Sequence, residues 1–275
     1  MYADDIKLYR SFVDNEDRSG MQSAIDKIHE WSKIWQLPLS PGKCQFIQLG
    51  RKCPADYFIG PTRIEQVSCV RDLGFQINEK LTPSDHVALI AKKASTKMHI
   101  LLRATSTRNR DALRTLYTTF VRPILEYGTT IWSPYPEKDK LLLEKIQNRM
   151  TRIISHRCDG VSFEHRPSAA DRNKSLNLTT LSYRRRVRDM TILYQILLGA
   201  AHISNLCSKL FVFTPSHSRG SQFILHVRSQ PRKRNAHQSY AHRVSRVMNR
   251  ILHNKKFPMP YSEYMSIVRQ NTNWE

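Results

Sequence analysis

The chain has 275 residues, of which 40% are apolar, so it is long enough to bury one sizeable core or two smaller ones. It carries 44 Lys and Arg against 23 Asp and Glu, a formal net charge of +21. Such an excess favours polyanions, with nucleic acid ahead of an anionic membrane surface. A solvated basic surface, or a ribosome-like structural protein, is the alternative interpretation.

The charge is graded along the chain. The net charge is −1 over residues 1–50, +3 over 51–100, +5 over 101–160 and +14 over 161–275. The acidic start would suit a metal ion, and the basic remainder would suit phosphate groups.

The cysteines and the longest apolar stretch exclude two further classes. None of the five cysteines belongs to a CxxC pair, which argues against a zinc knuckle. Their odd number, with no signal-peptide pattern, predicts a reducing, intracellular compartment. The stretch 192–213 is interrupted by polar residues, among them Gln195, His202, Asn205 and Lys209, so we expect a core helix and a loop there and no membrane span.

Residues 1–80 predict short strands around one helix. Apolar residues recur at helical spacing from Met21 to Trp35, after a capping-box start at Ser19, and prolines at 38 and 41 end the pattern. Strands are predicted over 6–9, 43–49, 56–60, 64–67 and 70–77. The segments 56–60 and 64–67 should form a hairpin, and Gly74 inside the last strand marks a close approach of another backbone or a ligand.

From residue 84 onward the pattern becomes helical. Helices are predicted over 84–103, 110–127, 136–155, 181–198 and 242–252. Pro123 should kink or divide the second of these, because a proline inside a helix loses a hydrogen bond and clashes with the preceding turn. Residues 156–179 are expected to be irregular, and 214–242 to be a flexible basic linker.

The tetrapeptide Tyr2-Ala3-Asp4-Asp5, followed by an apolar strand, resembles the metal-binding hairpin of reverse transcriptases. An Asp-Asp pair alone is weak evidence, since such pairs are common in turns and helix caps. Further segments in the same order strengthen the resemblance and narrow it to non-LTR (LINE-like) retrotransposons. They are Leu-Pro-Leu-Ser-Pro-Gly-Lys-Cys over 37–44, a "primer grip" pattern over 67–75, a thumb-like stretch over 117–134, and the segments 143–149 and 181–199. One segment departs from the family pattern, because Met248 stands where a tryptophan is expected.

The resemblance implies an α+β fold: the remnant of a polymerase palm, with short antiparallel strands and one helix, followed by a mostly α-helical thumb and a basic C-terminal region. The implied domains are a partial palm over 1–80, a thumb over 81–160 and a basic helical and linker region over 161–275. The implied activity is that of an RNA-directed DNA polymerase, with an RNA template and a DNA primer as partners and no membrane.

The resemblance also implies roles for individual residues. Asp4 and Asp5 would hold Mg²⁺ or Mn²⁺ for two-metal nucleotidyl transfer, and Lys43 would lie near the incoming triphosphate. A solvated lysine is the alternative for Lys43. Tyr2, Leu73 and Gly74 would position the primer. The residues that the resemblance would place on nucleic-acid phosphates are Lys92, Lys93, Lys97, Arg108, Arg110 and Arg114.

A separate argument from charge adds Arg184, Arg185 and Arg186, near the start of the helix predicted over 181–198. Positive charge there opposes the helix dipole, and a polyanion would offset that cost. Solvated arginines are the alternative interpretation for this group.

The family's fingers, its front palm and another metal-binding aspartate should precede Tyr2. We therefore expect the hairpin to be incomplete, its metal binding to be poor and the chain to be inactive alone. A non-catalytic nucleic-acid-binding fragment and a decayed relic of the gene are the two alternatives.

Overall fold

The computed structural model describes residues 5–11, 16–50, 55–162, 165–199, 211–215, 223–227, 239–251, 255 and 257–271. These residues form an α+β structure, as predicted, with long helices and only short strands. The chain divides into two compact units, Met1–Asp85 and His86–Glu275. The three predicted domains stay a prediction.

In its described residues, the first unit contains one α-helix, one short 3₁₀ turn and three two-stranded pairings. Its elements are α1 (Glu16–Ile34), the 3₁₀ turn Pro41–Lys43, β1 (Gln45–Phe46), β2 (Phe58–Ile59), β3 (Thr62–Arg63), β4 (Glu65–Gln66), β5 (Cys69–Asp72) and β6 (Phe75–Asn78). The pairs β2–β3 and β5–β6 are antiparallel hairpins, whereas β1 lies parallel to β4.

The core of the first unit is small. Its buried cluster in the described ranges consists of Ile25, Tyr57, Ile59 and Ile64. Helix α1 ends with Gln36 in the left-handed region (φ +54°) and a bond from the Leu37 amide to the Ser32 carbonyl, 2.9 Å long. This is the Schellman type of helix end. It leaves Trp35 64% exposed.

Several strand predictions for this unit are corrected. Residues 6–9 are extended but not a strand, and the strand expected over 43–49 is reduced to β1. The predicted strand 70–77 is two strands, because Leu73 and Gly74 both have positive φ (+45° and +90°) and reverse the chain. The predicted hairpin exists, but its second strand is β3.

The second unit is mainly helical. Its elements, of which the first begins just before the division, are α2 (Ser84–Ala104), α3 (Arg110–Leu116), a π-helical turn Tyr117–Val121, α4 (Arg122–Glu126), α5 (Thr129–Trp132), α6 (Glu137–Asp159), α7 (Ala169–Ser175), α8 (Leu181–Leu197), β7 (Phe211–Pro215), β8 (Phe223–Val227), α9 (Tyr240–Ile251) and α10 (Tyr261–Gln270). Strands β7 and β8 form an antiparallel hairpin.

Pro123 divides the helix predicted over 110–127, as expected. The preceding turn widens to π geometry, in which the Arg122 amide bonds to the Tyr117 carbonyl five residues earlier. The widened turn carries the buried Tyr117, whose hydroxyl donates to Gln147 Oε1 of α6 over 3.0 Å. Gln147 in turn donates from Nε2 to the Thr179 carbonyl over 3.0 Å, so one buried amide connects three segments.

The C-terminal elements pack around α8. The buried cluster there comprises Met190, Leu193, Phe211, Leu225, Ala241, Val244, Met248, Ile251, Met259, Tyr264, Met265 and Val268. Two predictions are corrected here. Residues 156–179 contain the end of α6 and all of α7. The region 214–242, expected to be a linker, contains the end of β7, all of β8 and the first turn of α9, with 216–222 and 228–238 outside the described residues. None of the helices in the described part of the chain is long and apolar enough to cross a membrane.

Candidate nucleic-acid interface

The predicted metal-binding turn is described only in part. Tyr2 and Asp4 lie outside the described residues, and Asp5 is exposed at a single bridge position. Two residues on, Lys7 forms an ion pair with Asp72, the last residue of β5. Within the described ranges, no three His, Cys, Asp or Glu side chains come together in a way that could hold a metal ion. The described side chains therefore do not fit a magnesium site, and we derive no metal-dependent step from them.

The other predicted polymerase residues lie on turns. Lys43 is exposed at the end of the 3₁₀ turn Pro41–Lys43 rather than on a strand. Leu73 and Gly74 form the two-residue turn of the β5–β6 hairpin, and positive φ at both positions is what a type I′ turn requires. Leu73 is 40% exposed at the tip of this hairpin.

The predicted cations of α2 and α3 differ in their surroundings. Lys92, Lys93 and Lys97 are exposed on α2. Arg110, in contrast, lies 3.6 Å from Asp159 and donates to Ser175 Oγ over 3.1 Å, so it also has a structural role. Arg114 forms a 3.5 Å ion pair with Asp111 one turn earlier on α3.

The three adjacent arginines of α8 do not form a common surface. Arg184 binds Glu126 through two nitrogens, one of which, Nη2, donates to Oε2 over 3.0 Å. This hydrogen bond raises the pKa of Arg184, against the effect of its burial. Arg185 is 3% exposed, and burial lowers its pKa. Because a buried guanidinium cannot reach a polyanion in solution, we correct the prediction for Arg185. Arg184 and Arg186 are partly exposed, but Arg184 is held by Glu126.

A cleft lined by cations lies where the α2–α3 loop, the C-terminal half of α6 and the α6–α7 loop meet. It is open to solvent and has a volume of about 890 Å³. The basic residues that line it are Arg108, Arg149, Arg152, His156, Arg157 and Arg166. Among the described residues that line it, Asp159 is the single carboxylate, and it pairs with Arg110. The described lining of the cleft therefore carries a large excess of positive charge.

Buried and half-buried hydrogen bonds hold the cleft in shape. Arg157 donates from Nη1 to the Thr105 carbonyl over 3.0 Å and from Nη2 to the Leu102 carbonyl over 3.4 Å, which ties α6 to the end of α2. On the opposite side Arg172, 6% exposed, donates to the Pro167 carbonyl and, over 3.3 Å, to Thr151 Oγ1. These bonds hold the loop that carries Arg166 against α6.

The positive charge of the cleft affects the pKa of a neighbouring side chain, that of Arg172. Burial is the main reason that the pKa of Arg172 is lowered, and repulsion from Arg152 and Arg166 adds to the effect. Arg172 nevertheless stays charged, since an arginine is not deprotonated in proteins. The C-terminal end of a helix favours nearby positive charge, which accounts for His156 and Arg157 in the last turn of α6 but not for the cations further back.

Sequence reasoning found Arg108 but not the other cations of the cleft. Arg149, Arg152 and His156 recur at helical spacing on α6, a pattern that could have indicated a basic face. The helix predicted over 136–155 rests on the spacing of its apolar residues, which does not involve these cations. Arg157 and Arg166 have no local pattern, since their place depends on how α2 and the α6–α7 loop meet α6.

Comparison with known proteins confirms the resemblance to non-LTR retrotransposon polymerases. The chain is 26% identical over 160 residues to the probable RNA-directed DNA polymerase from transposon X-element of Drosophila melanogaster, covering 56% of this chain and 18% of that protein. It is 29% identical over 162 residues to the corresponding protein of transposon BS, with the same two shares. The RNA-directed DNA polymerase from mobile element jockey is 25% identical over 143 residues, covering 50% of this chain and 16% of its own length.

The chain is thus homologous to part of the RNA-directed DNA polymerases of these transposons, and it spans less than a fifth of the length of each of these three relatives. No family model matches the chain. No solved structure matches it either.

Proposed function

We propose that this chain is the nucleic-acid-holding part of a retrotransposon reverse transcriptase, and that it binds an RNA template and a DNA primer through the cationic surface of its second unit. In this proposal residues 1–80 correspond to the end of a polymerase palm and the helices from 81 to 160 to the thumb. The observation that carries the proposal is the arginine-lined cleft, in a chain homologous to RNA-directed DNA polymerases.

The chemistry of the cleft suits phosphodiester groups. A guanidinium presents its donors in a planar fork that matches two phosphate oxygens at once, and such charge-assisted bonds are about twice as strong as neutral ones. Arg149 and Arg108 are exposed, while Arg152 and Arg166 are half-buried and less mobile. Contacts of this kind position a duplex without reading its sequence.

Binding of a labelled RNA–DNA hybrid, followed by fluorescence anisotropy, tests the proposal. We expect the affinity to fall steeply between 50 and 200 mM salt, since a protein with 6–10 phosphate contacts loses about 10³–10⁵-fold over that interval. An absence of binding at 50 mM salt, or binding that ignores salt, would contradict the proposal.

Primer extension with magnesium separates binding from catalysis. We expect binding without incorporation, because two-metal transfer needs several converging carboxylates and Asp5 has no such partners within the described residues. If the chain instead incorporates nucleotides and the Asp5→Ala substitution abolishes this activity, the chain is a polymerase in its own right and the non-catalytic interpretation is wrong.

A further inference from the structure

Helix α6 carries a basic stripe along its outer face. At 100° per residue, five basic residues fall within about 40° of one line parallel to the helix axis. These residues are Lys138, Lys145, Arg149, Arg152 and His156. They span 18 residues, which corresponds to about 27 Å of helix at a rise of 1.5 Å per residue.

The stripe lies opposite the packed face of the helix. Leu143, Gln147, Met150 and Ile154, at most 2% exposed, form the other side of α6. Of the five stripe residues, Arg152 is half-buried and the others are exposed. Four of the five stripe residues therefore face solvent, and the stripe runs into the cleft at its C-terminal end.

The acidic residues of α6 are all used elsewhere. Glu137 lies 3.1 Å from Lys140, and Glu144 accepts a hydrogen bond of 2.8 Å from the Ser182 amide of α8. Asp139 is buried, and Asp159 pairs with Arg110. No carboxylate of α6 is therefore available to neutralise the stripe. Like charges three and four residues apart destabilise a helix. A polyanion laid along the stripe would offset that repulsion.

We propose that the stripe, continued by Arg108 and Arg166 in the cleft, follows the sugar–phosphate backbone of one nucleic-acid strand. This inference rests on the proposed function and specifies its contact. Each strand of a duplex carries one phosphate per about 3.4 Å of axis, so about 27 Å of helix can face roughly eight phosphates. Among the described stripe and cleft residues there is no Phe, Tyr or Trp on which a base could stack, so we expect recognition of phosphate rather than of base sequence.

The test uses the full chain and charge-matched variants. K138Q/K145Q removes two cations of the stripe that lie outside the cleft and are exposed, so the fold should be retained. K174Q/R269Q removes two exposed cations from α7 and α10 and makes the same change in net charge. The measured quantity is the slope of log affinity against log salt for a 30-base-pair RNA–DNA hybrid, with unfolding midpoints to confirm that each variant is folded.

We expect K138Q/K145Q to reduce the slope by about 1.8, or about 0.9 for each lost phosphate contact, and by the same amount on two hybrids of unrelated sequence. K174Q/R269Q should leave the slope nearly unchanged. Equal losses in the two variants, no loss in the stripe variant, or a loss on one sequence only would each overturn the inference. These failures leave hybrid binding by the unaltered chain intact, whereas failure of the proposed function abolishes it.

A free polyphosphate offers the same chemistry on a smaller scale, so inorganic triphosphate is the second probe. It is too short to reach from the cleft to Lys138, and it should compete with the hybrid much less well than unlabelled hybrid at equal phosphate concentration. Competition as strong as that of the hybrid would show a small-anion site in the cleft and overturn the assignment of a strand along α6.

Discussion

The two compact units of the chain differ more in charge than in any other property. Residues 1–85 carry 11 Lys and Arg against 12 Asp and Glu, whereas residues 86–275 carry 33 against 11, a net charge of +22. A helical core does not require such an excess, since cations and anions serve equally well on a solvated face. Under the proposed function, this difference predicts that contacts with nucleic acid are concentrated in the second unit.

The units also differ in how deeply they bury their side chains. The cluster in the first unit has four buried members in the described ranges, each 5–8% exposed. The cluster around α8 has twelve, and several of these are fully buried. The second unit therefore has the larger buried core on which to hold its cations, although both units leave some large apolar side chains in solvent, such as Ile34 and Ile131.

The largest expected effect is the loss of stability caused by a substitution in the core of the second unit. Leu193→Ala, at a position with no exposure, should lower the free energy of unfolding by about 2–5 kcal/mol through lost transfer energy and the cavity left behind. Urea unfolding of the full chain measures the loss. Leu198→Ala, at the end of the same helix and 43% exposed, is the matched control and should cost far less.

The same substitution in the first unit sharpens the comparison. Ile25→Ala should fall at the lower end of that range, because Ile25 is 8% exposed and lies in a small cluster that can collapse around it. A greater loss for Ile25→Ala than for Leu193→Ala would show that the first unit is the better packed of the two.

The long helices of the second unit were predictable from sequence to within a few residues. The segments expected over 84–103 and 181–198 are Ser84–Ala104 and Leu181–Leu197 in the structure. Their apolar positions recur at helical spacing over several turns, and that pattern does not depend on distant contacts. The strands of the first unit have two to four residues, too few for an alternating pattern to establish their limits.

The candidate site was less predictable than the helices that carry it. A count of positive charge draws attention to Arg184, Arg185 and Arg186, but the structure places Glu126 against the first and buries the second. Whether a cation is exposed depends on its long-range partners, which sequence spacing does not contain. The stripe on α6 was accessible in principle, since it follows from helical geometry alone.

A further prediction concerns the turn of the β5–β6 hairpin. Gly74 has φ of +90°, which a residue with a side chain adopts only with strain, so Gly74→Ala should destabilise the first unit by about 1–2 kcal/mol. Gly42→Ala is the control, because an added methyl group there meets nothing within 4 Å. Hydrogen exchange of the Val70 and Ile77 amides reports the effect locally, and unchanged protection would contradict the strained turn.

The next prediction concerns the pH dependence of stability in the second unit. Burial, with a smaller contribution from Lys93, lowers the pKa of His86, which is 2% exposed and packs edge-on against Trp132 at 5.0 Å. The folded chain then binds fewer protons than the unfolded chain just below the ordinary pKa of 6.5. Stability should therefore fall as the pH drops through that value, by at most about 1.4 kcal/mol per pH unit for one group.

Urea unfolding at about pH 7.5 and about pH 5.5 measures this dependence. His86→Phe should remove part of it, whereas His99→Gln, at an exposed position of the same helix, should not. A pH dependence that is identical in the unaltered chain and in His86→Phe would show that His86 becomes protonated without cost in the folded state.

The smallest expected effect is a gain in the first unit. Leu73 has φ of +45° at the first central position of its turn, where the left-handed region is costly for a leucine and readily adopted by asparagine. Leu73→Asn creates the Asn-Gly pair that a type I′ turn prefers, and since Leu73 is 40% exposed the substitution gives up little burial. We expect a gain of roughly 0.5 kcal/mol in the free energy of unfolding. Leu49→Asn, at an exposed position outside the left-handed region, should give none. If Leu73→Asn instead lowers stability, the leucine side chain contributes packing at the hairpin tip that outweighs its backbone strain.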